Sequence, residues 1–166
     1  CLAVGDANGD GYQDTVVPAF GEDTSGSDAG AVYLVLGPVL GSVSLSTADS
    51  KLLGESSYDG AGIRVEMGDV DQDGNEDLVV AAYGDDDAGT TAGAAYLIYG
   101  PFSGTASLSA SAAKLLGEDA GGELGRGSAM GDADGDGYSD ILLGAYFHTE
   151  GGVGAGAAYL IYGSGL

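Results

Sequence analysis

Apolar residues fall along this chain in short runs separated by segments dense in glycine, aspartate and serine. The runs TVVPA from Thr15, LVVAA from Leu78 and ILLGA from Ile141 are rich in β-branched residues and predict strands. AVYLVLG from Ala31 and AAYLIYG from Ala94 and again from Ala157 are apolar at odd and even positions alike. A strand of that kind has to be covered on both faces. Shorter strands are predicted at Leu2 to Gly5, Ile63 to Gly68 and Ser128 to Gly131. A serine-rich stretch closing on KLLGE, at Lys51 and Lys114, reads as an outer strand, with a helical turn as the alternative.

These elements recur with one period. Asp6, Asp69 and Asp132 are 63 residues apart, as are Tyr33, Tyr96 and Tyr159, and no insertion separates the copies. The period divides the chain into 1–53, 54–116 and 117–166, about 2.6 copies. The predicted class is all-β: consecutive four-stranded antiparallel blades of a β-propeller, the inner strands sandwiched between neighbouring blades. Propellers close with about four to eight blades, so the expectation is an incomplete propeller or a tandem-repeat segment. It starts within the first strand of blade 1 and lacks the outer strand of blade 3. Pro18 lies where the other copies have Ala81 and Gly144, which predicts an edge position or a bulge there.

Between the first and second strand of each period stands an acidic decapeptide: GDANGDGYQD from Gly5, GDVDQDGNED from Gly68 and GDADGDGYSD from Gly131. Oxygen-bearing side chains occupy loop positions 1, 3, 5 and 9, and glycine occupies position 6. Carboxylates so close together repel by on the order of a kcal/mol or more per pair, and a hard cation removes that cost. The predicted ligands are Asp6, Asn8, Asp10 and Asp14; Asp69, Asp71, Asp73 and Asp77; and Asp132, Asp134, Asp136 and Asp140. The position-7 carbonyls of Tyr12, Asn75 and Tyr138 complete them. An all-protein oxygen cage suits Ca2+ better than Mg2+, and loops without histidine or cysteine do not suit Zn2+. Three calcium sites are therefore expected, the first the weakest because Asn8 carries no charge. An EF-hand would need a glutamate at position 12, where Val17, Val80 and Leu143 stand. That leaves the position-9 aspartate as the natural bidentate ligand. An ordinary Asp-Gly turn is the competing reading of any single loop.

The net charge is −22, with 26 acidic and 4 basic side chains among 166 residues. Three divalent ions would bring it to about −16, which still disfavours nucleic acid and anionic membranes as partners. The longest apolar run, Ala31 to Leu40, is broken by Gly37 and Pro38 and predicts no membrane insertion. No basic-then-apolar leader pattern stands at the start, and the single cysteine, Cys1, allows no internal disulfide.

GIRVEMGDVDQDGNEDLVVAAYG followed by GAAYLIYGP resembles the FG-GAP repeat of integrin α-chain propellers and of many bacterial secreted proteins. The Phe-Gly of the repeat's name is replaced by Ala61-Gly62 and Leu124-Gly125. The resemblance implies a calcium loop joining the first two strands of a blade and an extracellular or cell-surface location. It also implies a role in adhesion, in binding a protein or glycan, or as scaffold beside a catalytic domain.

No residue pattern points to catalysis. The one histidine, His148, sits in an acidic connection and reads as solvated, as do the acids Glu22-Asp23, Asp85-Asp86-Asp87 and Glu150. Cys1 reads as no catalytic thiol. Arg64 and Arg126 are expected to pair with nearby carboxylates, with Lys51 and Lys114 at equivalent positions of the repeat. Tyr33, Tyr96 and Tyr159 are expected in the core or between blades. The expected function is a non-enzymatic calcium-binding segment of an extracellular binding or adhesion protein. The alternatives are a structural repeat that assembles with neighbouring copies into a fibre or surface layer, and an accessory domain of a secreted hydrolase.

Overall fold

The computed structural model describes residues 2–166, and the readings of Cys1 lie outside them. β1 (Ala3–Gly5), β2 (Asp14–Ala19), β3 (Ala31–Val35) and β4 (Ser50–Leu53) form an antiparallel meander in chain order. β5 (Arg64–Gly68), β6 (Asp77–Ala82), β7 (Ala94–Ile98) and β9 (Ala113–Leu116) form a second. Between β7 and β9 the chain runs out to place β8 (Gly104–Ser107) parallel on the outer edge of β4. β10 (Leu124–Gly131), β11 (Asp140–Ala145) and β12 (Ala157–Ile161) form the third sheet. The first period supplies four strands, β1 to β4, and its sheet gains β8 as a fifth; the middle sheet has four and the third has three. The register repeats with the sequence: Val17 pairs Tyr33, Val80 pairs Tyr96, and Leu143 pairs Tyr159.

The serine-rich stretches contain both structures that they suggested. Leu45–Thr47 and Leu108–Ala110 form single 3-10 turns, each capped by a preceding serine, Ser44 or Ser107, whose hydroxyl accepts the N–H two residues on. The outer strand then follows. Pro18 pairs Val32 with no register shift, so there is no bulge. Among the described residues β1 pairs β2 as far as Val16, two residues short of the proline.

Burial shows how the sheets stack. On β6, Leu78, Val80 and Ala82 pack toward the first sheet with Val16, Val32 and Leu34. Val79, on the opposite face, packs toward the third sheet with Leu97, Ile141 and Leu143. The middle sheet is therefore covered on both faces, which is what its unbroken apolar run requires. The third sheet is covered on one: Leu142 and Leu160 are 42% and 44% exposed, where their counterparts Val79 and Leu97 are each 1% exposed.

Candidate metal loops and a repeated lysine cage

Each acidic loop links the first two strands of its sheet, and its position-9 aspartate is the first residue of the second strand. The position-6 glycines, Gly11, Gly74 and Gly137, have φ of 87°, 90° and 94°. That left-handed conformation strains residues with a Cβ, and it turns the chain back around the carboxylates. Position 1 receives N–H donors from the far side of the loop: Gly11 N to Asp6 Oδ2 at 2.8 Å, Gly74 N to Asp69 Oδ2 at 3.1 Å and Gly137 N to Asp132 Oδ2 at 3.0 Å. Position 5 holds the position-7 peptide, with Tyr12 N to Asp10, Asn75 N to Asp73 and Tyr138 N to Asp136 at 2.9, 2.7 and 2.9 Å.

Asp14, Asp77 and Asp140 differ from the other loop acids. They are 0%, 0% and 2% exposed, and both oxygens of each are already engaged. Asp77 accepts Val70 N at 2.8 Å and Gly100 N at 2.9 Å; Asp14 accepts Ala7 N and Gly37 N, and Asp140 accepts Ala133 N and Gly163 N. Each of them clamps the loop to the connection following the third strand. Hydrogen bonds to a charged group contribute about 1.5–3 kcal/mol each, and a lone pair on each oxygen is left over for a cation. Burial, with Asp71 and Asp69 adding to it, raises the Asp77 pKa to about 6 despite the two N–H donors.

The convergence of ligand atoms differs among the loops. Asp69, Asp71 and Asp77 bring one oxygen each within 4.8 Å of one another, and Asp132, Asp134 and Asp136 do the same. Asp73 instead accepts both the backbone and side-chain N–H groups of Asn75. In the first loop Asn8 Nδ2 donates to Asp10 Oδ2 at 3.1 Å, so an amide satisfies a carboxylate that a cation would otherwise hold. Asp69 Oδ1 is buried without a hydrogen-bond partner. A carboxylate oxygen left so among other carboxylates fits a bound cation, and the all-oxygen donor set fits Ca2+. The loops also bond to each other in series, Glu76 N to Asp6 O at 2.9 Å and Ser139 N to Asp69 O at 2.8 Å.

Comparison with known families falls on this same unit. The FG-GAP repeat model matches residues 61–98 and 124–161, each running from the approach to the loop through the third strand. The chain carries FG-GAP repeats. In them the Phe-Gly positions are structural: Ala61 and Leu124 bridge in parallel to Gly30 and Gly93 of the preceding sheet. Gly125, at φ 90°, lies so close to Ala81 that a Cβ there would meet it at 2.7 Å.

At the other end of the second strand, the repeats hold a charged cluster that the sequence did not single out. Lys114 Nζ lies 2.8 Å from Glu55 Oε2, 2.8 Å from Asp85 Oδ2 and 2.5 Å from Asp87 Oδ2, over the ring of Tyr96 at 5.1 Å. The Tyr96 hydroxyl is 2.9 Å from both Glu55 and Asp85. Burial opposes the ammonium charge, but the hydrogen bonds to Asp85, Asp87 and Glu55 outweigh it and hold the lysine above its ordinary range. Lys51 repeats the arrangement over Tyr33 with Glu22 at 2.6 Å and Thr24 at 3.0 Å. Asp85 is 2% exposed, which corrects its reading as a solvated tip. The arginines divide: Arg126 pairs Glu123 at 2.6 Å and stacks on Tyr83, whereas Arg64 donates to the Ile63 carbonyl and no ion pair to it is found among the described residues.

Asp59, 3% exposed beside this cage, has its pKa raised from 3.8 to about 6, chiefly by burial, with Asp85 and Glu55 adding to the shift. Its protonated form is favoured by folding. The associated stability is full below pH 3.8 and is lost as pH rises through about 6. Asp59→Asn is expected to raise stability at pH 7 by about 1–3 kcal/mol and to have little effect at pH 4; urea denaturation at the two pH values checks this.

Proposed function

We propose that this chain is a calcium-stabilised, non-catalytic section of an FG-GAP β-propeller, serving an extracellular protein in binding or adhesion. The observation that carries the reading is Asp69 Oδ1, buried and without a donor beside Asp71 and Asp77, with Asp132, Asp134 and Asp136 gathered likewise in the third loop. The ligands would be Asp69, Asp71, Asp73 and Asp77, with the Asn75 carbonyl, and their counterparts in the other loops. A bound Ca2+ supplies positive charge and no reaction chemistry. The side chains hold it, and the position-9 clamp transmits the ordered loop to the sheet. The series of loop-to-loop hydrogen bonds makes one end of the stack rigid and leaves recognition to other surfaces. The acidic balance of −22 supports a partner that is neither nucleic acid nor an anionic membrane. No helix among the described residues is long and apolar enough to cross a membrane.

Calorimetric titration of metal-free protein tests this reading. Uptake of three Ca2+ is expected, with the first loop weakest, and Asn8→Asp is expected to tighten that loop alone by adding a charge. Absence of heat and of uptake would overturn the assignment. A second reading, assembly with copies of itself, draws support from the open apolar row Leu142, Leu160 and Tyr162 on the third sheet, the kind of surface that a neighbouring sheet covers. Sedimentation distinguishes them: a discrete mass supports the binding module, and an open-ended, concentration-dependent series supports the assembly.

A further inference from the structure

The third repeat presents the cage positions with different chemistry. Glu118, His148, Glu150 and Tyr159 stand where the second repeat has Glu55, Asp85, Asp87 and Tyr96, each 63 residues on. In the second repeat these groups surround a cation, the Lys114 ammonium. In the third, His148 is 5% exposed, which overturns its reading as a solvated loop side chain. Its Nδ1 is buried without a hydrogen bond, although Asp119 Oδ2 lies 3.1 Å away. Its Nε2 faces Glu118 Oε2 at 3.7 Å and Glu150 Oε2 at 3.6 Å.

Separations of 3.6 and 3.7 Å are too long for hydrogen bonds. They are close to the spacing of roughly 3.3–3.5 Å between neighbouring ligand atoms that each lie about 2.0–2.2 Å from a tetrahedral ion. Glu118 is oriented by the Tyr159 hydroxyl, which donates to its Oε2 at 2.8 Å. Asp119, itself held by the N–H and hydroxyl of Thr149, lies beside Nδ1, near enough to take its N–H once the ring turns onto an ion. Glu150 is exposed and free to close on an ion.

We propose that Glu118, His148 and Glu150 form a binding site for one divalent transition ion of the zinc class, distinct from the calcium loops. The exchange of a carboxylate, Asp85, for an imidazole at His148 changes the preference. Nitrogen with two carboxylate oxygens suits Zn2+ and its neighbours and is a poor set for Ca2+. The opposing account is that a protonated His148 is itself the cation in this cage.

The test is a Zn2+ titration of the full chain saturated with Ca2+, so that failure of the calcium reading and of this one are separable. Co2+ serves as the spectroscopic probe. One Zn2+ per chain is expected, with uptake weakening as pH falls because the imidazole must be neutral. His148→Ala is expected to abolish uptake. Glu150→Gln, at an exposed position that leaves folding intact, is expected to weaken it about tenfold or more. No uptake beyond the calcium loops, uptake unchanged in either variant, or nitrogen NMR shifts showing an imidazolium at pH 7 in the presence of Zn2+ would overturn the proposal.

Discussion

Removal of calcium with EDTA is expected to lower the melting temperature by roughly 5–10 °C for each site occupied in the starting protein. An ion bound only by the folded state stabilises it by about 2.7 kcal/mol when present at a hundred times its dissociation constant. In a domain of this size each kcal/mol is worth about 2–4 °C. The effect has a local cause. Without the ion, Asp69, Asp71 and Asp77 face one another with one oxygen buried and unpartnered, and the Asp77 clamp on Val70 N and Gly100 N carries that repulsion into the strand. Re-addition of Ca2+ should restore the transition, and Mg2+ should restore less, since it keeps several waters and needs a tighter octahedron. Scanning calorimetry with and without chelator decides it. A melting temperature unchanged by EDTA would remove calcium from the account of stability.

Lys114→Ala is expected to cost about 2–4 kcal/mol, read as a drop in the urea midpoint at unchanged slope. Removing one partner of a buried ion pair leaves the other charge uncompensated, a loss of about 3–5 kcal/mol where burial is complete. Here Asp85 is 3% exposed at its side chain and Lys114 is 20% exposed, which places the loss at the lower end. Three carboxylates and the Tyr96 hydroxyl would be left without their shared cation. The deficit should shrink toward acid pH, as the freed carboxylates take up protons. Lys51→Ala is the internal control. It faces one carboxylate and a threonine, so a loss of about 1 kcal/mol or less is expected. Equal losses from the two variants would show that the cage acts through the lysine stems packed on Tyr33 and Tyr96 rather than through charge.

The two charged clusters lie at opposite ends of the second strand of each repeat, and both join elements distant in sequence. The loop clamp reaches from Asp77 to Gly100, and the cage reaches from Glu55 through Asp85 and Asp87 to Lys114. Between them lies an apolar middle, Leu78 to Ala82, packed on both faces. At these strand ends the carboxylates meet N–H groups or lysine.

Much of this was legible from spacing. The 63-residue period, the strands at Leu78 and Ala94, and the aspartate loops between strands all follow from alternation, β-branching and glycine position, which are local and need no knowledge of what packs where. The parallel strand Gly104–Ser107 was not legible, because GTAS has no apolar face and is held by its hydrogen bonds to β4. Nor was the role of Asp77, since its second donor, Gly100 N, is 23 residues away. His148 and Asp85 read as loop-tip residues in the sequence and are buried in the structure, where Asp85 meets Tyr96 and Lys114 and His148 meets Asp119, groups well separated from them along the chain. The sequence by itself determined which residues form strands, where the acidic turns stand and at what spacing the unit recurs. Tertiary structure alone decided which carboxylates clamp backbone, which hold lysine and which stand with an imidazole, because each outcome depends on groups brought together from positions distant in the chain.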